Sequence, residues 1–129
     1  MAYSNEKELN IEDELNDYVI QSQRVLALNF LRNVVYASPR KTGRFQSNWV
    51  FSVGSPDEST SESTNESLNI TKQTGKITSA IIKSSSVLWV SNNLPYAQRL
   101  NNGWAKQTPA FFVEKAARIS GIDIPDGTL

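Results

Sequence analysis

Apolar or small side chains recur at Ile11, Leu15, Tyr18, Val19, Ser22, Val25, Leu26, Phe30 and Val34, a spacing of threes and fours that predicts one long helix over residues 11–37. Neither Gly nor Pro interrupts that span. Asn10 is placed to act as its N-cap, and Glu12, Asp13 and Glu14 fall in the expected first turn, where the helix dipole favours anions. Ser38-Pro39 ends the helix, because the residue before proline avoids the α region. At 1.5 Å per residue its length would be about 40 Å.

After Gly43 the period changes to two. Phe45, Ser47, Trp49, Phe51 and Val53 alternate with Gln46, Asn48, Val50 and Ser52, which predicts a strand with one apolar face, although Arg44 to Ser47 also suit a helical turn. Gly54-Ser55-Pro56 ends it. Residues 55–75 hold nine Ser/Thr and four acids, with Leu68 and Ile70 as the only large apolar residues, so 54–76 reads as a polar loop, disordered or extended as a hairpin arm. Lys76 to Lys83 suits a short amphipathic helix or a strand, and Val87-Leu88-Trp89-Val90 a buried strand. Asn92-Asn93-Leu94-Pro95 is a turn, and Tyr96 to Leu100 one helical turn. Thr108-Pro109 opens a last helix over 108–120, with Phe112, Val113, Ala116, Ala117 and Ile119 as its buried stripe and Gly121 as its stop. The expected architecture is α+β: a long N-terminal helix and shorter helices on a small, mostly antiparallel sheet.

Length and composition narrow the chemistry. The 129 residues suit a single domain. The chain has no Cys and no His. That excludes disulfides, thiolate zinc sites, Ser-His-Asp and Cys-His nucleophiles and the HExxH metal motif. The acidic block Asp57, Glu58, Glu62 and Glu66 lacks the tight DxDxDG spacing of a calcium loop, and there is no Gly-rich phosphate cradle. Neither an enzyme nor a cofactor is expected. No stretch approaches the roughly 20 apolar residues that span a bilayer, and the acidic start does not resemble a signal peptide, so synthesis and folding in a cytoplasm are expected.

Net charge is zero, yet the signs are sorted. Residues 1–17 carry six acids and one lysine; 18–56 carry Arg24, Arg32, Arg40, Lys41 and Arg44 with no acid; 67–113 carry five cations with no acid. Such sorting suits solvated faces, or complementary patches that steer partners together. Arg40, Lys41 and Arg44 flank a turn, and with Lys106 they are candidates for contact with DNA phosphates or with an acidic partner. Tyr96, Arg99 and Trp104 lie on a turn-rich segment with the composition of an interface anchor, or of a core plug.

Two of these stretches carry a family resemblance. Residues 38–49, SPRKTGRFQSNW, resemble the "sPvdTGrlrxsW" stretch of a tail-component family of tailed phages. Residues 92–100, NNLPYAQRL, followed by Gly103-Trp104-Ala105-Lys106-Gln107-Thr108-Pro109-Ala110, resemble that family's "NnlPYaxrLEyGxSxQaPaGmv". The motifs come in the same order, and the likeness extends over about residues 11–119. Three positions depart: Lys41 stands for an Asp, Asn101-Asn102 for Glu-Tyr, and Phe111 for a Gly. The resemblance implies a small α+β virion protein, a neck or tail-completion subunit. It would form a ring of six, or of twelve, between the head connector or adaptor and the tail tube, with packaged DNA passing through, assembled in the host bacterial cytoplasm. Arg44, Trp49, Tyr96, Arg99 and Trp104 are then the expected assembly contacts or their supports. A tail terminator or minor tail component, and a nucleic-acid-binding module, are the alternative readings; no membrane is involved in any of them.

Overall fold

The computed structural model describes residues 2–106 and 108–129, with side chains of the first helix described from Ile11 onward. Gln107 of the second motif and the side chain of Asn10 lie outside the described residues. The first helix, α1 (Ala2–Ala37), is longer than its apolar period predicts, about 54 Å at 1.5 Å per residue. No breaker separates residues 2–10 from the rest, so the helix runs on through Asn10, which is not its cap. Glu12, Asp13 and Glu14 therefore stand beyond the first turn, out of reach of the dipole. The far end is as predicted. Ser38 Oγ donates to the Val34 carbonyl and accepts from Trp49 Nε1 at 2.9 Å, closing the helix onto the strand that follows.

The apolar stripe of α1 divides in two. Leu31, Val34 and Val35 are fully buried with Ala27 beside them, whereas Ile11, Leu15, Tyr18 and Val25 are exposed. The C-terminal half of the rod packs on the body, and the N-terminal half projects from it. The core joins Leu31, Val34 and Val35 to Phe45, Trp49, Phe51, Ile77, Phe112 and Ala116.

Residues Gln46–Asn48 form a 3-10 turn, so the strand β1 begins only at Trp49 (Trp49–Val53). It pairs antiparallel with β2 (Leu88–Asn92), in register from Trp49 opposite Asn92 to Val53 opposite Leu88. A two-stranded sheet leaves one face open, and the run predicted as a buried strand is accordingly half-exposed at Trp89 and outside the sheet at Val87.

The polar stretch departs most from expectation. Half of it is a helix, α2 (Glu66–Ser79), capped by Asn65, whose side chain accepts from the Leu68 N–H at 3.0 Å. The helix expected from Lys76 to Lys83 is absent beyond Ser79. What α2 buries is Asn69, Gln73 and Ile77, three residues at intervals of four. Asn69 Nδ2 donates to the carbonyls of Gln46 and Trp49, and Gln73 Oε1 accepts the Phe51 N–H at 3.0 Å. Gln73 Nε2 donates to Asn69 Oδ1, completing the network. Two amide side chains thus do for the outer edge of β1 what a third strand would. Gln73→Leu keeps the volume and leaves the buried Phe51 N–H without an acceptor, so unfolding free energy should fall by about 2–3 kcal/mol. Urea denaturation reads this, and a loss under about 0.5 kcal/mol would show that the amide edge contributes nothing net.

The remainder, residues 54–65, is extended but strapped to the body, neither an arm nor a hairpin. Asn48 receives the Ser61 N–H at 2.8 Å and donates to the Ser61 carbonyl at 3.0 Å. Asn93 Nδ2 donates to the carbonyls of Asp57 and Ser59 at 2.6 and 3.0 Å. The Ser59 hydroxyl and backbone N–H hold the Asp57 carboxyl below its ordinary range.

Past β2 the chain makes the short helix α3 (Ala97–Arg99) and a π turn over Leu100–Trp104, in which Gly103 takes φ 103°. The last helix, α4 (Phe112–Ile119), starts later than Thr108-Pro109 predicts. Phe111 precedes it with φ 60°, a left-handed residue through which no helix could have run from Pro109. Ile119, placed on the buried stripe by spacing, is exposed; Glu114, which hydropathy would place outside, is fully buried. Gly121 ends α4 at φ 99°, with the Ile122 N–H returning to the Ala117 carbonyl at 2.8 Å, the Schellman pattern.

Candidate functional site

The two sequence motifs lie about fifty residues apart in the chain and meet at the C-terminal end of α1. Between them is an open depression of about 900 Å³. The segment 38–42 forms one wall, and Tyr96, Leu100, Trp104, Ala105, Lys106, Thr108 and Pro109 form the other. Arg40, Lys41 and Lys106 are all exposed on its edge, and no acid lines it among the described residues. Arg40 Nη2 donates to the Tyr36 carbonyl at 3.0 Å, satisfying an end carbonyl of α1 and placing a cation at the negative end of the helix.

An aromatic chain runs from this depression into the core. Tyr96 lies 6.2 Å from Phe45, ring centre to ring centre. Phe45 in turn meets Trp49 and Phe112 edge to face at 5.9 and 6.0 Å. Tyr96 is therefore rigidly backed yet partly open to solvent. Trp104 is 70% exposed, an unusual position for so large an apolar surface. The Arg99 guanidinium lies 5.1 Å from its ring centre and stiffens it by a cation–π contact.

The structure thus brings together Arg40, Lys41, Tyr96, Trp104 and Lys106, with Arg99 behind Trp104. It separates the other two candidates. Trp49 is buried and bonded to Ser38, a support of the site and not a contact. Arg44 turns away to the strap, where its Nε donates to the Ser61 carbonyl at 3.2 Å and its Nη2 pairs with Glu62 at 3.0 Å. An exposed pair of that kind contributes little stability, so the role of Arg44 is local: it ties the loop down.

Sequence reasoning missed the clamp that holds the second wall. Asn101 Nδ2 donates to Glu114 Oε1 at 2.6 Å, its Oδ1 accepts the Val113 N–H at 3.0 Å, and its carbonyl accepts the Phe111 N–H at 2.6 Å. The other Glu114 oxygen accepts the Gly127 N–H at 2.8 Å. The only available signal was Asn101 itself, one of the departures from the resembled motif. A second, more apolar groove of about 780 Å³ lies among α1, β2 and α4, with Phe30, Trp89, Val113 and Leu129 among its walls. Among the described residues no three acids converge closely enough to hold a metal ion, and no helix is long and apolar enough to cross a membrane.

The chain matches no family model, no curated protein and no solved structure.

Proposed function

We propose that this chain is a structural subunit of a tailed-phage virion, a neck or tail-completion protein that assembles into a ring between the head connector and the tail. The observation that carries the reading is the meeting of the two resembled motifs around one depression, its rim cationic and its walls aromatic. Motifs that remain together in space while being separate in sequence behave as one surface. That surface is open, with a 70% exposed Trp104 and, among the described residues, no convergent acid–base pair, which suits a macromolecular partner better than a small substrate. Backbone conformation adds support. Among the described residues Phe111 alone is left-handed without being glycine, and it stands where the resembled stretch has glycine.

Mass spectrometry of purified virions is expected to find the polypeptide, and virions lacking it should show filled heads separated from tails or heads that leak DNA. Virions free of the polypeptide would overturn the reading. In the purified chain, Tyr96→Ala and Trp104→Ala should weaken self-assembly by at least about tenfold each, as truncated anchors do. Both side chains are solvent-accessible, so the variants should keep the wild-type circular dichroism spectrum. Sedimentation velocity tests this, and unchanged assembly in both would remove the two residues from the interface.

A further inference from the structure

The projecting half of α1 is exposed on every side from Ile11 to Val19. At 3.6 residues per turn, Ile11, Leu15 and Tyr18 fall on one line, with Glu12 and Glu14 on either side of it. Extending that line to Ser22 and Val25 leads to the helix face opposite Ala27, Leu31, Val34 and Val35, the face the body covers. No cation occurs from residue 8 to residue 23, and among the described residues neither glutamate makes an ion pair. The depression at the other end of α1 is the converse: aromatic walls, three exposed cations and no lining acid among the described residues.

The two surfaces complement each other, yet they cannot meet within one molecule. They lie at opposite ends of the same uninterrupted helix, with Leu15 and Tyr36 about 30 Å apart along its axis. A rod of that length does not fold back on itself. We infer that the N-terminal half of α1 in one copy docks into the depression of the next, with the Ile11–Leu15–Tyr18 line against Tyr96 and Trp104 and with Glu12 and Glu14 facing Lys41 and Lys106. The contact joins two different patches of the same chain, so it is heterologous and propagates head to tail, closing into a ring when the rotation allows. This deepens the proposed function and rests on its premise that the chain assembles with itself.

Charge reversal tests the contact in the full chain. One variant carries Glu12→Lys and Glu14→Lys, the other Lys41→Glu and Lys106→Glu. All four side chains are exposed, and none makes a hydrogen bond or ion pair among the described residues. Each variant alone places like charges across the contact, and sedimentation should show assembly weakened at least about tenfold. Mixed in equal amounts, or combined in one chain, the variants restore opposite charges at every contact and should recover wild-type assembly, a result misfolded variants could not give. A failure of the mixture to recover overturns the inference, as does a monomeric wild type at about 100 µM. If only the helix variant is impaired, the helix docks elsewhere and the inference falls. It falls equally if reversing Lys41 and Lys106 abolishes steeply salt-dependent binding to duplex DNA and leaves assembly intact. In each of these outcomes the virion reading still stands or falls on mass spectrometry of the particles.

Discussion

Replacing Asn101 with leucine is expected to lower the unfolding free energy by about 3–5 kcal/mol, the larger of two effects that reach the site from beneath. Asn101 is 5% exposed and Glu114 fully buried. Leucine fills a similar volume but neither donates to Glu114 Oε1 nor accepts from the Val113 N–H. Each buried group left unpaired costs about 1–3 kcal/mol, and a carboxylate costs more than an amide. The neighbouring Asn102 is exposed, so Asn102→Leu should stay within about 0.5 kcal/mol of wild type. Urea denaturation of the two variants side by side is the measurement. A loss below about 1 kcal/mol for Asn101→Leu would mean that water or a rearranged α4 terminus replaces the clamp. The consequence for the site is direct, because Asn101 anchors the turn carrying Gly103 and Trp104 to the start of α4.

Gly43→Ala should cost about 3–4 kcal/mol, from two separable causes. Gly43 has φ +80°, a region where a side chain costs about 1–2 kcal/mol. A Cβ there would also lie 2.3 Å from the backbone carbonyl oxygen of Thr64, so the strap must move. Gly54 supplies the control: its φ is +89°, but nothing lies within 4 Å of the position its Cβ would take. Gly54→Ala should therefore show the conformational cost alone, about 1–2 kcal/mol. Equal losses in the two variants would show that the strap yields freely at Thr64. A displaced strap would also release Arg44 and Asn48 from Ser61, beside the loop that carries Arg40 and Lys41.

The elements that build the depression were legible because their residues restrict the backbone or pack in few ways: a proline that stops α1, a glycine in a left-handed turn, a Pro-Tyr pair beside an aromatic core. The helix α2 was not legible, for a physical reason. Its inward face is built from Asn69 and Gln73, and an amide turned toward a strand edge has the same hydropathy as one turned toward water. The late start of α4 was hidden too, since Thr-Pro is a sound opening signal and only the left-handed Phe111 cancels it. Glu114 lies inside because Asn101 Nδ2 and the Gly127 N–H offer its carboxylate two donors within the fold, a partnership that hydropathy does not reveal.

By itself the sequence determined the α+β class, the long first helix and its stop at Ser38-Pro39, the paired strands, and the absence of imidazole and thiol chemistry. These follow from local rules: period, backbone restriction and composition. Tertiary structure alone decided which half of α1 is buried and which projects, and that the polar stretch is a strap and a helix. It also decided that Arg44 serves the strap while Arg40, Lys41 and Lys106 share a rim. Those outcomes depend on which groups meet across the fold, and hydropathy read along one chain carries no information about the partner.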